Sequence, residues 1–267
     1  MRALYHKPKV GMRMVQFGWC TGIKDAGLLN TLGFDFIELA LAPLQLEQPE
    51  EHKRLMEPIL ESPIPVKAFN IFFPGNLKIV GPEADPQRIR RYIAAAAETL
   101  VQAKASIMVL GSGGARSVPE GWERERAEQQ LLQVLSWCAQ EFKDTGVTLA
   151  IEPLNRKESN IINSVAEGVY YAKQINDPVV RVLADFYHMD EEKEPLTELR
   201  EHKDWLAHIH LADTGRRNPG SGQYDYETFS SLLKEIGYNG MISAECKIEE
   251  PEREMAESLQ FVKNMWK

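Results

Sequence analysis

Residues 149–155, Leu149-Ala150-Ile151-Glu152-Pro153-Leu154-Asn155, read as a short apolar strand that ends in a carboxylate and is cut off by a proline. Nothing apolar beside Glu152 neutralises it, and a charge at the end of a buried strand is costly unless it is paired or holds a metal. Three stretches downstream repeat the pattern: Val182-Leu183-Ala184-Asp185, Ala207-His208-Ile209-His210 and Ile242-Ser243-Ala244-Glu245. Each is a short apolar run that closes on a residue type able to ligate a metal. The four end residues are 33, 25 and 35 positions apart, about one strand-helix unit each.

The rest of the chain fits that repeat. Strands are expected over 10–19, 34–40, 65–72, 106–110, 147–152, 179–186, 206–211 and 241–246, with helices over 25–32, 50–60, 85–100, 120–142, 164–176, 191–202, 225–236 and 252–266. Asp85-Pro86 opens a helix, because proline is tolerated in a first turn. Ser164 with Glu167 three residues on is a capping box. Gly33, Gly146 and Gly237 punctuate the units.

Eight alternations, without a linker or a break in composition, predict an α/β fold in which residues 1–267 form one (β/α)8 TIM barrel domain. About 250 residues shared among eight units gives roughly 31 per unit, as such a barrel requires. A doubly wound sheet needs a glycine fingerprint after its first strand, and Gly18-Trp19-Cys20-Thr21-Gly22 does not supply one. The glycine run at 111–114 lacks the Lys-Ser/Thr ending of a phosphate-binding loop.

Of the 267 residues 43% are hydrophobic, enough for a full core, and the formal net charge of −8 argues against a nucleic-acid or anionic-membrane surface. Cys20, Cys138 and Cys246 are too few and scattered for a disulfide framework or zinc ribbon. A reducing cytoplasm fits. The basic N-terminus has no long apolar segment of the signal-peptide kind, and no apolar run nears the roughly 20 residues of a membrane helix.

In a barrel, the C-terminal strand ends form the rim that hosts chemistry. Glu152, Asp185, His210 and Glu245 then close four consecutive strands. Neighbouring strands lie about 4.8 Å apart, so the four ends can converge on one ion. One such residue alone would read as a hydrogen-bonded packing residue; four at repeat spacing are hard to explain that way. Three carboxylates and an imidazole suit Mn²⁺ or Mg²⁺, with Co²⁺ and Zn²⁺ compatible.

Other polar residues are more ambiguous. His208 shares a strand face with His210 one layer deeper, and reads as a core histidine or one behind the ligands. His188 sits in the loop after Asp185, within reach of a substrate. Glu38 fits either the pocket or a rim salt bridge, and Glu158 and Arg216 fit either substrate contacts or solvated charges. Arg216-Arg217 could grip phosphate, a sugar hydroxyl or an acidic neighbour. Trp19, Phe69, Phe72 and Phe73 either wall a sugar site or plug the barrel. His6, His52 and His202 read as solvated, and the cysteines carry no assigned role.

The stretches Ile151-Glu152-Pro153-Leu154-Asn155-Arg156, Asp185-Phe186-Tyr187-His188-Met189, His208-Ile209-His210-Leu211-Ala212-Asp213 and Ser243-Ala244-Glu245, with the loop Gly111-Ser112-Gly113-Gly114-Ala115-Arg116, resemble the sugar phosphate isomerase/epimerase superfamily of xylose-isomerase-like barrels, nearest to ketose 3-epimerases of the D-tagatose/D-allulose type. The resemblance spans the chain, and its C-terminal half is the specific part. It implies a divalent metal, usually Mn²⁺, on Glu152, Asp185, His210 and Glu245. It also implies proton exchange by Glu152 and Glu245 on opposite faces of a carbon, and sugar contacts from Glu158, His188 and Arg216. Homodimers or homotetramers are common in such a family. The third strand departs from it: Asn70-Ile71-Phe72-Phe73 stands where the epimerases tend to have a small Cys-Gly pair, which bears on the identity of the sugar.

The expected reaction is C3 epimerisation of a ketose through a metal-stabilised enediolate, with a small sugar as the partner and no nucleic acid or membrane. An aldose-ketose isomerase or a sugar-derived dehydratase would share the metal and the proton abstraction. An abasic-site endonuclease needs more histidines from early strands and a basic face. A non-catalytic sugar-binding barrel leaves three clustered carboxylates unexplained.

Overall fold

Eight parallel strands close into a barrel in sequence order, with β8 returning to pair with β1, in a computed structural model that describes residues 15–267. The strands are β1 (Gln16–Cys20), β2 (Phe36–Ala40), β3 (Val66–Asn70), β4 (Ile107–Leu110), β5 (Thr148–Ile151), β6 (Val180–Asp185), β7 (Leu206–Leu211) and β8 (Met241–Ala244). The (β/α)8 expectation therefore holds. Residues 10–14 of the first expected strand, the N-terminal segment and His6 lie outside the described residues.

Ten helices among the described residues surround the barrel: α1 (Ala26–Leu32), α2 (Pro49–Leu60), α3 (Pro86–Gln102), α4 (Gly113–Arg116), α5 (Arg124–Phe142), α6 (Val165–Ile175), α7 (Phe186–Glu191), α8 (Glu198–Glu201), α9 (Tyr226–Glu235) and α10 (Pro251–Met265). Their starts follow local chemistry. Asp85 accepts from the backbone N–H groups of Gln87 and Arg88, and Asp225 from that of Thr228. Ser164 accepts from Glu167 N, while the Glu167 carboxylate reaches back one residue past the cap to Asn163 N. No described helix is long and apolar enough to cross a membrane.

Two expectations are corrected here. Of the helix expected over 191–202, only Glu191, the last residue of α7, and Glu198–Glu201 (α8) are α-helical; between them lie Lys193 in the left-handed region (φ 55°) and Pro195, which has no N–H to continue a helix. The glycine loop after β4 closes into α4, whose Arg116 is fully buried and donates to the carbonyls of Leu110 and Ile162.

Side chains alternate along each strand, so one set fills the barrel and the other meets the helices. Both faces of a covered parallel strand are buried, and Phe36, Ile37, Glu38 and Leu39 of β2 are all buried. The barrel floor is Phe36, Ala68, Ile107, Val109, Ala150 and Leu183. Above it along the same inward faces come Glu38 and His208, then the rim.

Gly18 on β1 makes room for Phe36: a Cβ there would drive into the Phe36 ring. Gly18→Ala is therefore expected to destabilise the fold by about 1–3 kcal/mol through overpacking, read as a lower thermal midpoint. An unchanged midpoint would show that the Phe36 ring has room to move.

Candidate metal centre and catalytic site

Strand pairing brings the expected residues together. Asp185 on β6 pairs with His210 on β7, and His210 pairs with Ser243 on β8. Glu152 and Glu245 follow the last residues of β5 and β8, and each extends the ladder by one bond, Glu152 N to Leu110 O at 3.1 Å and Glu245 N to Leu211 O at 2.9 Å. One donor atom from each of Glu152, Asp185, His210 and Glu245 lies within 4.8 Å of all the others. His210 Nδ1 faces Glu152 Oε1 at 3.2 Å, Glu245 Oε2 at 3.8 Å and Asp185 Oδ2 at 3.9 Å.

The donor set fits a hard divalent cation. Asp185 Oδ2 is buried and has no hydrogen-bond partner, while its Oδ1 accepts from Tyr187 N at 2.7 Å. A buried carboxylate oxygen without a donor is unfavourable unless a cation completes it. Three carboxylates and one imidazole nitrogen supply such a shell.

The charged groups of the cluster act on one another across short distances. Burial, and then the neighbouring Glu245, push the Glu152 carboxyl up. Burial pushes Asp185 up to about 6. His210 is wholly buried, which opposes its charge, yet Glu38 holds its proton well above the ordinary histidine range.

Glu38 is the residue the sequence left open, and it belongs to neither expected place. It is fully buried inside the barrel beneath the four donors. Its carboxylate accepts from His210 Nε2 at 2.9 Å, His208 Nε2 at 2.8 Å and Ser243 Oγ at 2.6 Å. Burial opposes its charge, but His210 and His208 more than offset that and hold it well below the usual carboxylate range. By engaging His210 Nε2, Glu38 turns Nδ1 toward the carboxylates. A histidine held this way by a carboxylate is the usual support of a metal ligand. His208 is the supporting residue expected, reaching Glu38 with Nε2 and the Met241 carbonyl with Nδ1 at 3.0 Å.

His188 lies on α7 rather than in a loop. Asp185 is both the last residue of β6 and the N-cap of α7, so strand passes directly into helix. His188 Nδ1 accepts from Asn155 N at 3.1 Å and Asn155 Nδ2 at 2.9 Å. That leaves Nε2 to carry the ring proton, and it is buried with no partner. Burial also lowers the His188 pKa, so a neutral ring offers one free N–H to whatever occupies the site.

Arg216 and Glu158 meet at the mouth. Arg216 donates to Glu158 Oε1 at 3.0 Å and to Glu245 Oε2 at 2.6 Å, and stacks over the Tyr187 ring at 4.8 Å. Glu245 Oε1 accepts from Asn70 Nδ2 at 2.9 Å. A cleft of about 290 Å³ opens between Glu152, Glu158, Arg216, Glu245 and the loops carrying Phe73 and Ser112. Gly111 stands against this cluster, where a Cβ would collide with Glu152 Oε2. Of the four aromatic residues expected near the site, only Phe73 lines the cleft; Trp19 packs edge-on against Phe34, and Phe72 against Phe73 and Tyr92.

The profile of the xylose isomerase-like TIM barrel family matches residues 27–265. The chain belongs to that family. Over 122 residues it is 34% identical to 3-dehydro-D-guloside 4-epimerase of Escherichia coli K12, covering 45% of this chain and 47% of that one. Over 103 residues it is 34% identical to D-psicose 3-epimerase of Agrobacterium fabrum, covering 38% and 36%. The matched stretches thus span less than half the length of these relatives. The fold is shared with the crystal structure of D-psicose 3-epimerase from Clostridium cellulolyticum H10 with D-tagatose, at a TM-score of 0.82 and 19% identity over 94% of this chain and 99% of that one.

Within this family barrel, the residues that sequence reasoning did not assign are Glu38, Asn70 and Asn155. Asn155 had a visible signal, since it stands in the stretch that ends β5, but only the fold shows that it orients His188. Two histidines read as solvated are in fact engaged: His52 meets the Leu44 carbonyl and Thr99 Oγ1, and His202 faces Glu198.

Metal binding at this cluster would require that protons leave. His210, held protonated by Glu38 around neutral pH, releases one; Asp185, raised by burial to about 6, releases another below that pH, and Glu152, also raised by burial, adds to the competition as the pH falls. Divalent-ion affinity should therefore rise by about tenfold per pH unit near neutrality, and more steeply below about pH 6, where a second proton competes. Calorimetric titration at several pH values checks this; a flat affinity across that range would contradict the assigned ligands.

Proposed function

We propose that this protein is a metal-dependent sugar epimerase that inverts the carbon next to a ketone, with Glu152, Asp185, His210 and Glu245 as the metal ligands. The observation carrying the proposal is the convergence of those four donors around a buried Asp185 oxygen that has no other partner. Membership of the family and the epimerase names of the relatives point the same way. Mn²⁺ is the proposed ion, on the oxygen-rich donor set, with Mg²⁺, Co²⁺ and Zn²⁺ as alternatives. A bound divalent ion supplies Lewis acidity, which favours loss of the proton beside the carbonyl.

The protein's own groups then divide the work. Glu245, fixed through both oxygens by Asn70 and Arg216, is oriented to take the proton. Glu152, the carboxylate at the end of β5 in the same cluster, is the second base and returns one from the other face. His188 Nε2–H and Arg216 are placed to donate to sugar oxygens, and Glu158 to accept. General acid-base steps of this kind contribute typically about 10² to 10⁴ in rate. Among the described residues, Arg216 is the one cation lining the cleft and is already held by two carboxylates, which favours an unphosphorylated sugar. Three unpaired cysteines suit a reducing compartment such as the cytoplasm.

In a free 2-ketose the inverted carbon is C3; in a 3-keto sugar it is C2 or C4. The test is a panel of both kinds, free and phosphorylated, incubated with Mn²⁺-loaded protein in D₂O and followed by NMR. Deuterium at the carbon beside the ketone, together with the epimeric product, is the expected result. Transfer between C1 and C2 would indicate an aldose-ketose isomerase, and an unsaturated product a dehydratase.

A further inference from the structure

A second cavity, of about 450 Å³, opens on the other side of Ile71 and reaches the same rim. Glu245 and Ile71 line both cavities, and Asn70 lines the second. Its outer wall is apolar, built from Ile23, Leu39, Pro43, Leu44, Leu55 and Ile59. Two of the polar groups at its inner end are already engaged. Asn70 Nδ2 donates to Glu245, and the Thr21 hydroxyl donates to Asp25 at 2.5 Å. Among the described residues, Glu245 is the lone charged residue of the lining.

Ile71, between the two cavities, is 48% exposed and has φ 45°. A β-branched residue in the left-handed region is strained, and such strain persists where the surroundings impose it, commonly at ligand sites. Here it sets an apolar side chain at the junction of the two lobes.

A hydroxyl-rich group entering the second lobe would lose water and find few partners, which is unfavourable. A phosphate or carboxylate would meet no cation there among the described residues. An apolar group would leave water at a gain. We propose that this lobe binds a neutral apolar substituent on the keto sugar, the aglycone of a keto-glycoside, while the sugar ring occupies the cleft at Glu152, Arg216 and Glu245. The assignment rests on the sugar-epimerase reading of that cleft and adds the class of substrate.

The test is binding of methyl, n-butyl, n-hexyl and phenyl glycosides of glucose, galactose and allose to the metal-loaded protein by calorimetry. Affinity should rise with the substituent, by up to about fourfold for each methylene that leaves water, and level off when the lobe is full. Pro58, exposed on α2 and part of the lining, allows a helix-compatible variant: Pro58→Glu should bring the ratio of hexyl to methyl affinity toward one. A flat series, no binding by any member, or a gradient that Pro58→Glu leaves intact would each overturn the subsite. Deuterium exchange into free ketoses is measured separately. Exchange with a flat glycoside series refutes the subsite and leaves the epimerase reading standing; a graded series without exchange into any keto sugar refutes the chemistry.

Discussion

Net epimerisation should fall by at least about 10²- to 10⁴-fold in Glu152→Gln and in Glu245→Gln, the range in which a single proton-transferring group contributes. A two-base mechanism predicts more than a common loss. In each variant one carboxylate survives, so residual deuterium exchange should be confined to the epimer whose proton faces that carboxylate. The two variants should therefore retain exchange with opposite epimers. Glutamine also weakens the metal shell, so metal content must be measured beside the rate. A variant that has lost only its metal should regain activity at high Mn²⁺, whereas one that has lost its base should not. Glu245→Gln carries a further signature. Arg216 loses one of its two carboxylate partners, and its hold on Glu158 changes with it, so apparent sugar affinity should shift as well. Net epimerisation persisting in both variants would end the two-glutamate mechanism.

The four rim residues could be read from the sequence because of a geometric rule: the last residue of each parallel strand meets the barrel mouth, and the strands recur at one-unit spacing. Nothing about distant pairing was needed. Glu38 was not legible for the opposite reason. It sits inside the run Phe36-Ile37-Glu38-Leu39-Ala40, and its place is set by His208, 170 residues away. Only closure of the barrel brings those two strands' inward faces together.

His188 was assigned to the right neighbourhood but the wrong element, because Asp185 ends a strand and caps a helix at the same residue. Local propensity gives Phe186 to the strand, and the cap overrides it. Asn70 shows the same limit at finer scale. Its departure from the related epimerases was visible, but its role was not, because its partner Glu245 lies across the barrel mouth. That mouth is also where Ile71 divides polar from apolar space. On the proposed function, the departure therefore bears on which sugar is accepted and leaves the proposed metal ligands intact.

Glu38→Gln is expected to do more damage than any exposed substitution, although Glu38 reaches no solvent and no substrate. Three donors converge on its carboxylate, from His208, His210 and Ser243. A glutamine offers one acceptor oxygen and turns an NH₂ group toward an N–H donor. It also removes the negative charge that holds the His210 proton. Breaking one side of a buried charged network costs about 3–5 kcal/mol, which in a chain of this size corresponds to a drop in thermal midpoint of roughly 6 °C or more. In the fraction that folds, His210 loses the anchor on Nε2 that points Nδ1 at the metal site, and divalent-ion affinity should weaken about 10- to 100-fold. The neutral pH dependence of metal binding should flatten too, because His210 no longer carries a Glu38-stabilised proton that the metal must displace. A purely structural role would lower stability without changing that slope. Thermal melts and calorimetric titrations across pH separate the two, and an unaltered slope would show that Glu38 holds the barrel together without tuning its metal ligand.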